Sequence, residues 1–594
     1  MTALTDPNPT DGGGPAVGVT SIVGLAKGVG RAVAQPGPLT RQVQQFAGNI
    51  SSVLRGTEDF VPGPKDRRFS DPAWRANPVY RRWMQGYVAL AEALGALVDD
   101  LEDGGTDWRD VERARFAVGV LSSGISPTNF LPGNPAALKI AFDTLGSSVV
   151  RGARNFIDDV RHNRGFPLQT DRSAFAVGTD LAITPGSVVY RNEVLELIQY
   201  APSTDQVHER PLLVIPPPIG RFYFLDLRPG RSFVEYAVSR GQQVFMISWR
   251  NPLAGQRDWD IDTYASAAKE CLAVVKQITG SDDVNSLGFC AGGILQTVLL
   301  NHLAATEDTT ISSASYAVTL LDFDERAPLG AFSATRLLEI AGARSERDGI
   351  LSAAALATIF NLMRPDDLVF NYVVSNWLMG LDPPVFDILA WSVDGTNLPA
   401  ALHRQFLDVL RDNLLCRDGE MTVLGSPVRL KQITVPTFVT GAVTDHLTPW
   451  TGCYRTVRLL SGPTTFVLSN AGHIASLVNP PGNPKASYFA GGSVDGDAQE
   501  WLASATKHTG SWWEAWADWM NERSGPLVAA PSKTGSPAYP RLDAAPGLYV
   551  RDLLPAAAPR VVKPAAAPTR NTSRPSRPRK PVGPTRPSPL SPST

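Results

Sequence analysis

Residues 185–530 are predicted to form an α/β fold on a mostly parallel sheet, with a mainly helical region over 39–184 and a cap inserted at about 325–430. Three observations predict this. Short apolar runs (Leu212–Ile215, Gln243–Trp249, Val284–Phe289, Thr437–Thr440 and Thr465–Leu468) alternate with helical stretches. Runs of that length between helices make βαβ units, and their apolar character suits strands covered on both faces. Before residue 185 the apolar residues recur instead at steps of three or four, the spacing that lines one side of a helix. Between 325 and 430 the strand–helix rhythm stops in a stretch rich in Trp, Asn and Pro. An insertion between late strands accounts for that break, and such an insertion can cover the catalytic end as a lid.

In chain order, residues 1–38 are rich in Gly, Pro, Thr and Ala and read as a flexible leader. From Leu39, the residues Val43, Phe46, Ile50 and Leu54 continue one helical stripe, predicted to dock on the protein's own domain, the alternative being a partner or a lipid-like surface. Trp83, Tyr87, Leu90, Leu94 and Leu97 form a second stripe within Tyr80–Leu101. Beyond residue 530 Pro, Ala, Ser and Arg dominate, and Arg551–Thr594 carries nine basic residues against one acidic, Asp552. Frequent proline and few apolar residues predict that 531–594 is a largely disordered tail, either simply solvated or binding an anionic partner.

The bulk composition excludes several classes. With 594 residues, 43 % hydrophobic and 19 % charged, the chain is of ordinary globular character. A formal net charge of −2 gives no general reason for a nucleic-acid partner. Cys271, Cys290, Cys416 and Cys453 are widely spaced without a C-x-x-C pair, so neither a disulfide scaffold nor a zinc site is expected. No basic segment leads into an apolar run near the N-terminus, and no apolar run has the roughly 18 residues of a membrane span. The expectation is a soluble protein of the reducing cytoplasm.

The chemistry concentrates at Val284–Gly293, V-N-S-L-G-F-C-A-G-G, where a strand meets G-x-C-x-G and then an apolar helix. This is the nucleophile elbow of an α/β-hydrolase with Cys in place of Ser. Gly288 and Gly292 allow strand and helix to approach around the strained turn that presents Cys290. The Ala291 amide opens the helix, where it can stabilise an oxyanion. A five-residue pattern alone is weak, because most cysteines are structural. The order of the partners along the chain strengthens it: nucleophile, then acid, then His. Asp445 follows T-F-V-T, and His473 follows T-F-V-L; both sit just past a strand's C-terminal end, where open parallel sheets collect their ligand sites. Of the seven histidines, His162, His208, His302, His403 and His508 lack that setting. His446, beside Asp445, is a candidate substrate-positioning group. A second oxyanion donor is expected from the loop Pro216–Arg221, P-P-P-I-G-R. Proline has no amide hydrogen, which leaves Ile219, the favoured donor, and Gly220.

These residues resemble the polyhydroxyalkanoate synthases. The resemblance covers about residues 65–550 and includes Asp66–Trp74, Ser126–Pro135, Phe222–Pro229, Ile247–Pro252, Arg364–Tyr372, Asp445–Trp450 and Gly472–Pro481. The single chain and the long helical N-terminal region look most like the class I enzymes, which make poly-3-hydroxybutyrate. What this implies is polymerisation of (R)-3-hydroxyacyl-CoA, short-chain monomers such as 3-hydroxybutyryl-CoA included, into polyester on cytoplasmic granules. CoA is released, and no cofactor or metal is needed. It further implies a homodimer, Cys290 as carrier of the growing chain, His473 as its base and Asp445 as a group that helps activate the monomer hydroxyl. P-P-P-I-G-R stands where the family usually has P-P-W-I-N-K, so Pro218, Gly220 and Arg221 are expected to reshape that loop and the monomer preference. Two other readings share these residues: a cysteine-dependent acyl-CoA thioesterase or esterase, and a non-catalytic granule scaffold.

Overall fold

The computed structural model describes residues 36–554 except 65, 325, 327, 333 and 334. The predicted leader lies almost wholly outside the described residues, as do residues 555–594 of the predicted tail.

Ten strands form one mixed sheet: β1 Gly186–Arg191, β2 Leu195–Tyr200, β3 Leu212–Ile215, β4 Val244–Trp249, β5 Val284–Phe289, β6 Ile311–Ala317, β7 Thr437–Ala442, β8 Thr464–Ser469, β9 Ser487–Ala490 and β10 Thr506–Thr509. Their spatial order is β1-β2-β4-β3-β5-β6-β7-β8-β9-β10. The run from β4 to β8 is parallel, while β1, β2, β9 and β10 pair antiparallel at the two ends. Side chains alternate across the sheet, so each central strand serves two cores. Leu213, Ile215, Phe245 and Ile247 pack with the helices Ile261–Thr279 and Ala291–Ala305. Leu212, Val214, Val244 and Met246 pack with Phe233–Ser239 and Trp512–Asn521, where Trp512, Trp513 and Trp516 are almost fully buried. Burying one such side chain contributes roughly 1.5–3 kcal/mol, which makes this aromatic layer a main anchor of the second face.

Five strands coincide with the predicted apolar runs to within a residue or two. Others carried no such signal. β6 reads I-S-S-A-S-Y-A and is buried all the same, because its hydroxyls have partners. Ser312 and Ser313 donate to Asn285 Oδ1 at 3.0 and 2.7 Å, and Ser315 Oγ accepts from Trp516 Nε1 at 3.2 Å.

The first helix runs Pro36–Arg55 and packs on the helix Pro78–Asp103; Leu39, Phe46 and Ile50 of the predicted stripe are half-buried there. Gln42 and Val53 are buried, whereas Val43 and Leu54 are 56 % and 65 % exposed. Gln42 donates to Asp100 at 2.9 Å on the helix Pro78–Asp103, a polar contact inside the packed side.

The chain between β6 and β7 holds helices Thr335–Asp348, Ala353–Met363, Asp387–Ser392 and Ala400–Asp412 and two π-helical segments, Asp366–Phe370 and Val373–Leu378. The N-terminal helices pack on this insertion. Arg68 pairs with Asp366 at 3.0 Å, Arg109 with Asp324 at 2.8 Å, and Asn155 donates to the Asn376 carbonyl at 3.0 Å. Trp377 Nε1 donates to Asp159 at 2.7 Å, and the Gly152 Cα lies so near Trp377 that an added Cβ would sit 1.9 Å from its carbonyl oxygen.

The predicted tail boundary at 531 is corrected by the structure. Residues 531–553 form a strap on the sheet, and its stretch 542–545 lies along β1: Leu542 N donates to the Val188 carbonyl, and Val188 N to the Asp543 carbonyl, both at 2.9 Å. The amides of Leu548 and Tyr549 each reach the fully buried Glu196 at 2.9 Å, and Tyr549 and Val550 are themselves buried. Proline-rich composition hid this segment, because an extended strap held through an exposed sheet edge needs no apolar run of its own. Among the described residues, no helix is long and apolar enough to cross a membrane.

Candidate active site

β5 ends at Phe289, Cys290 turns with φ 49° and ψ −123°, and the helix Ala291–Ala305 begins at once. A positive φ on a non-glycine residue costs of order 1–3 kcal/mol and persists only where its surroundings hold it. Here the Cys290 amide donates to the Ala317 carbonyl at 2.9 Å, and the Cys290 carbonyl accepts from Gly293 N at 2.9 Å and Thr319 Oγ1 at 3.1 Å. The glycines are sterically required. A Cβ on Gly288 would lie 2.6 Å from the Gly293 Cα, and one on Gly292 only 2.2 Å from the Ile215 carbonyl oxygen of the neighbouring β3. Gly293, which sequence reasoning left without a task, would meet Thr319 Oγ1 at 2.3 Å.

Asp445 follows β7 and His473 follows β8, and the two meet: His473 Nδ1 lies 2.7 Å from Asp445 Oδ2. A carboxylate only accepts, so Nδ1 carries the proton and Nε2 is left as the basic nitrogen on the Cys290 side. The Asp445 side chain has no exposed surface. Its Oδ1 accepts from the Leu447 and Thr448 amides at 2.8 and 2.9 Å, and its Oδ2 also accepts from Thr448 Oγ1 at 2.7 Å. Burial opposes the Asp445 charge, but His473 and the Thr448 bonds hold its pKa below the ordinary carboxylate value. Burial likewise opposes a charged His473; the Asp445 carboxylate and then the Cys290 sulfur outweigh it and raise the pKa to about 10. The arrangement therefore stabilises an imidazolium beside the sulfur, the state that follows proton transfer from a thiol.

Thr448 was missed in the sequence. The spacing D-x-x-T, in which an Asp caps the amides two and three residues on, was the available signal.

His446 is half-buried next to the triad, and the charges that act on it include Arg364 and Asp367 of the insertion. Burial, helped by the Arg364 charge, pushes its pKa down to about 4, so it is neutral at pH 7. His302 and His403 are tied up elsewhere, with Lys269 and Ser426, and with Ser345. His508 stacks on Tyr488, and His208 contacts the Gly525 carbonyl.

The loop Pro216–Arg221 borders the elbow, since Gly292 rests on Ile215 and Pro216. The Gly220 amide donates to Thr396 Oγ1 at 2.8 Å, which removes it from the two candidate oxyanion donors. Ile219 remains. Arg221 is buried and paired with Asp394 at 3.0 Å and Asp552 at 2.6 Å, and its carbonyl accepts from Trp391 Nε1 at 2.7 Å. Gly220, at φ +87°, lies so close to Trp391 that a Cβ would meet its ring at 3.2 Å. The loop sequence in this chain thus matches partners on the insertion and the C-terminal strap.

Residues 65–237 match the family model described as poly-beta-hydroxybutyrate polymerase (PhaC) N-terminus, and residues 229–480 match the alpha/beta hydrolase fold. Poly(3-hydroxyalkanoate) polymerase 1 of Ectopseudomonas oleovorans is 43 % identical over 522 residues, 88 % of this chain and 93 % of that protein. Poly(3-hydroxyalkanoate) polymerase 2 of the same organism is 44 % identical over 85 % of this chain and 90 % of its own length. The poly(3-hydroxyalkanoate) polymerase subunit PhaC of Cupriavidus necator is 39 % identical over 91 % of this chain and 93 % of its own. With an α/β-hydrolase sheet, a cysteine elbow and this likeness over most of its length, the chain belongs to the poly(3-hydroxyalkanoate) polymerase family of acyltransferases.

Proposed function

We propose that the chain polymerises (R)-3-hydroxyacyl-CoA through an acyl-enzyme on Cys290. The observation that carries this reading is the alignment of Cys290, His473 and Asp445 past the ends of β5, β8 and β7. His473 Nε2 takes the Cys290 proton, and the sulfur attacks the thioester carbonyl. The tetrahedral oxyanion is held by the Ala291 and Ile219 amides. The carbon–sulfur bond to CoA then breaks, and the CoA sulfur leaves with the proton from His473. One thioester replaces another at little cost, and the new one stays reactive toward the hydroxyl of the next acyl group. His473 takes that hydroxyl's proton as its oxygen bonds to the acyl carbon; the carbon–sulfur bond to Cys290 breaks, the proton passes to the Cys290 sulfur, and the lengthened acyl-CoA acylates Cys290 again with release of CoA, while His446, neutral beside the triad, positions the incoming monomer. The sequence of steps uses no cofactor; the CoA thioester is substrate and CoA is product.

The single-chain length and helical N-terminal region support a class I assignment with short monomers. Support for cytoplasmic granule association comes from an exposed apolar set on the helices Pro135–Asp143 and Ser147–His162 and the turn between them, where Phe142 of the first helix and Leu145 of the turn are 82 % and 96 % exposed. A homodimer is part of the same proposal, checked by the mass of the purified protein in solution.

The test supplies the purified full chain with (R)-3-hydroxybutyryl-CoA or (R)-3-hydroxyoctanoyl-CoA. CoA release coupled to insoluble polyester is expected, faster with the shorter monomer, and Cys290→Ala abolishes both. Free 3-hydroxy acid without polymer would make the chain a thioesterase. Full activity of Cys290→Ala would overturn the mechanism, and preference for the octanoyl substrate the class I assignment.

A further inference from the structure

We propose that Thr396, on the insertion, is the positioning residue that orients the Ile219 amide toward the oxyanion and thereby couples the insertion to catalysis. This rests on the acyl-enzyme reading above. The Thr396 side chain is buried, and its hydroxyl makes two bonds to one short stretch of the oxyanion loop. It accepts from Gly220 N at 2.8 Å and donates to the Pro218 carbonyl at 3.0 Å.

The consequence follows from peptide geometry. Among the described residues the one cis peptide is Ala545–Pro546, so the Pro218–Ile219 peptide is trans. In a planar trans peptide the carbonyl and the following N–H point in opposite directions. Holding the Pro218 carbonyl against Thr396 therefore turns the Ile219 N–H away from the Thr396 hydroxyl. The second bond occupies the Gly220 amide, so it does not compete. One hydroxyl thus selects the donor and sets its direction. The start of the loop is held by Trp249 Nε1, which donates to the Pro216 carbonyl at 2.8 Å, and the prolines fix their own φ; between Pro218 and Gly220, whose backbone is the most permissive of any residue, the Thr396 hydroxyl supplies the hydrogen bonds. Trp391 and Asp394, a few residues before Thr396, hold the other end of the loop through Arg221. A movement of residues 391–396 away from the sheet would release the Pro218 carbonyl and the Gly220 amide together, so the oxyanion site is complete only while this part of the insertion is seated.

Thr396→Val keeps the shape and removes both bonds; Thr396→Ser keeps the hydroxyl. With the full-length enzyme and (R)-3-hydroxybutyryl-CoA, Thr396→Val is expected to lower kcat about ten- to a hundred-fold, less than outright loss of an oxyanion donor. KM should stay within about two-fold, the mark of an interaction made in the transition state. Thr396→Ser should restore kcat to within about three-fold of the parent. Rapid-quench mass spectrometry should find the Cys290 acyl adduct forming more slowly in Thr396→Val by the same factor. If the valine variant does not fold, Thr396→Ala carries the same comparison. Parent kcat in a folded Val or Ala variant overturns the proposal, as does a loss that serine fails to restore. If Cys290→Ala retains activity, the acyl-enzyme reading itself fails; if it is inactive while Thr396→Val turns over normally, only the Thr396 proposal fails.

Discussion

Replacing Asp445 by Asn probes how the triad divides its work. The carboxylate has no exposed side-chain surface, and its bonds go to the Leu447 and Thr448 amides, Thr448 Oγ1 and His473 Nδ1. It therefore cannot touch a monomer hydroxyl, and the activation implied for it by family resemblance must pass through His473. In Asp445→Asn one oxygen still accepts from the two amides, but an NH2 group then faces the His473 Nδ1–H. Two donors cannot bond, so the imidazole shifts its proton to Nε2 and loses the basic nitrogen that faces Cys290. The imidazolium also loses the largest charge that favours it. In a hydrolytic triad the equivalent change costs about 10⁴ in kcat; with a more acidic thiol as nucleophile about 10³-fold is expected, near 4 kcal/mol. The assay is rapid-quench acylation of Cys290 by a single equivalent of (R)-3-hydroxybutyryl-CoA, followed by steady-state CoA release. Both steps should slow together, with the fold unchanged by circular dichroism. Acylation at the parent rate with elongation alone abolished would refute this reasoning and place Asp445 in hydroxyl activation only.

Stability should show the same pair. His473 is raised from 6.5 to about 10, so its contribution is full below about pH 6.5 and is lost as pH rises toward 10; Asp445 is lowered from 3.8, so its contribution is full above about pH 4 and is lost on acidification. Denaturant titrations of the parent and Asp445→Asn should therefore differ most between about pH 4 and 6.5, and a difference that grows above pH 8 would contradict the assignment. Gly292→Ala forces a Cβ to 2.2 Å from a backbone oxygen where ordinary contact begins at 3.4 Å; a loss of about 1–3 kcal/mol or more is expected in urea unfolding, together with loss of acylation. Truncation after Leu554 should leave turnover intact. Truncation after residue 530 removes the Leu548 and Tyr549 amides from the buried Glu196 and should lower the thermal midpoint by several degrees or prevent folding; equal stability of the two truncations would show that the strap is dispensable.

The central strands were legible because each is buried on both faces and so had to be apolar along its length, as in L-L-V-I of β3. β6 was not, because its serines are satisfied by Asn285 and Trp516, partners distant in the chain. The same limit applies to the first helix. Its apolar stripe named Val43, which is exposed, and could not name Gln42, which is buried through its bond to Asp100. Cys290, Asp445 and His473 could be picked out by order and by position at strand ends. Thr448, which shares Asp445 with His473, lay within a readable local turn and was overlooked. Thr396 carried no local signal at all.

By itself the sequence determined the α/β architecture and the elbow, and it singled out Cys290, Asp445 and His473 as candidates, since periodicity, glycine sterics and chain order are properties of neighbouring residues. The tertiary structure decided that His473 meets Asp445, that the Gly220 amide is occupied by Thr396, and that residues after 530 form a strap whose stretch 542–545 lies along β1. These depend on hydrogen bonds between segments from tens to hundreds of residues apart, whose direction no local pattern encodes. The loop P-P-P-I-G-R shows the division: its prolines announced which amides were missing, and the structure showed that the Gly220 amide and the Pro218 carbonyl are both taken by Thr396, across the fold.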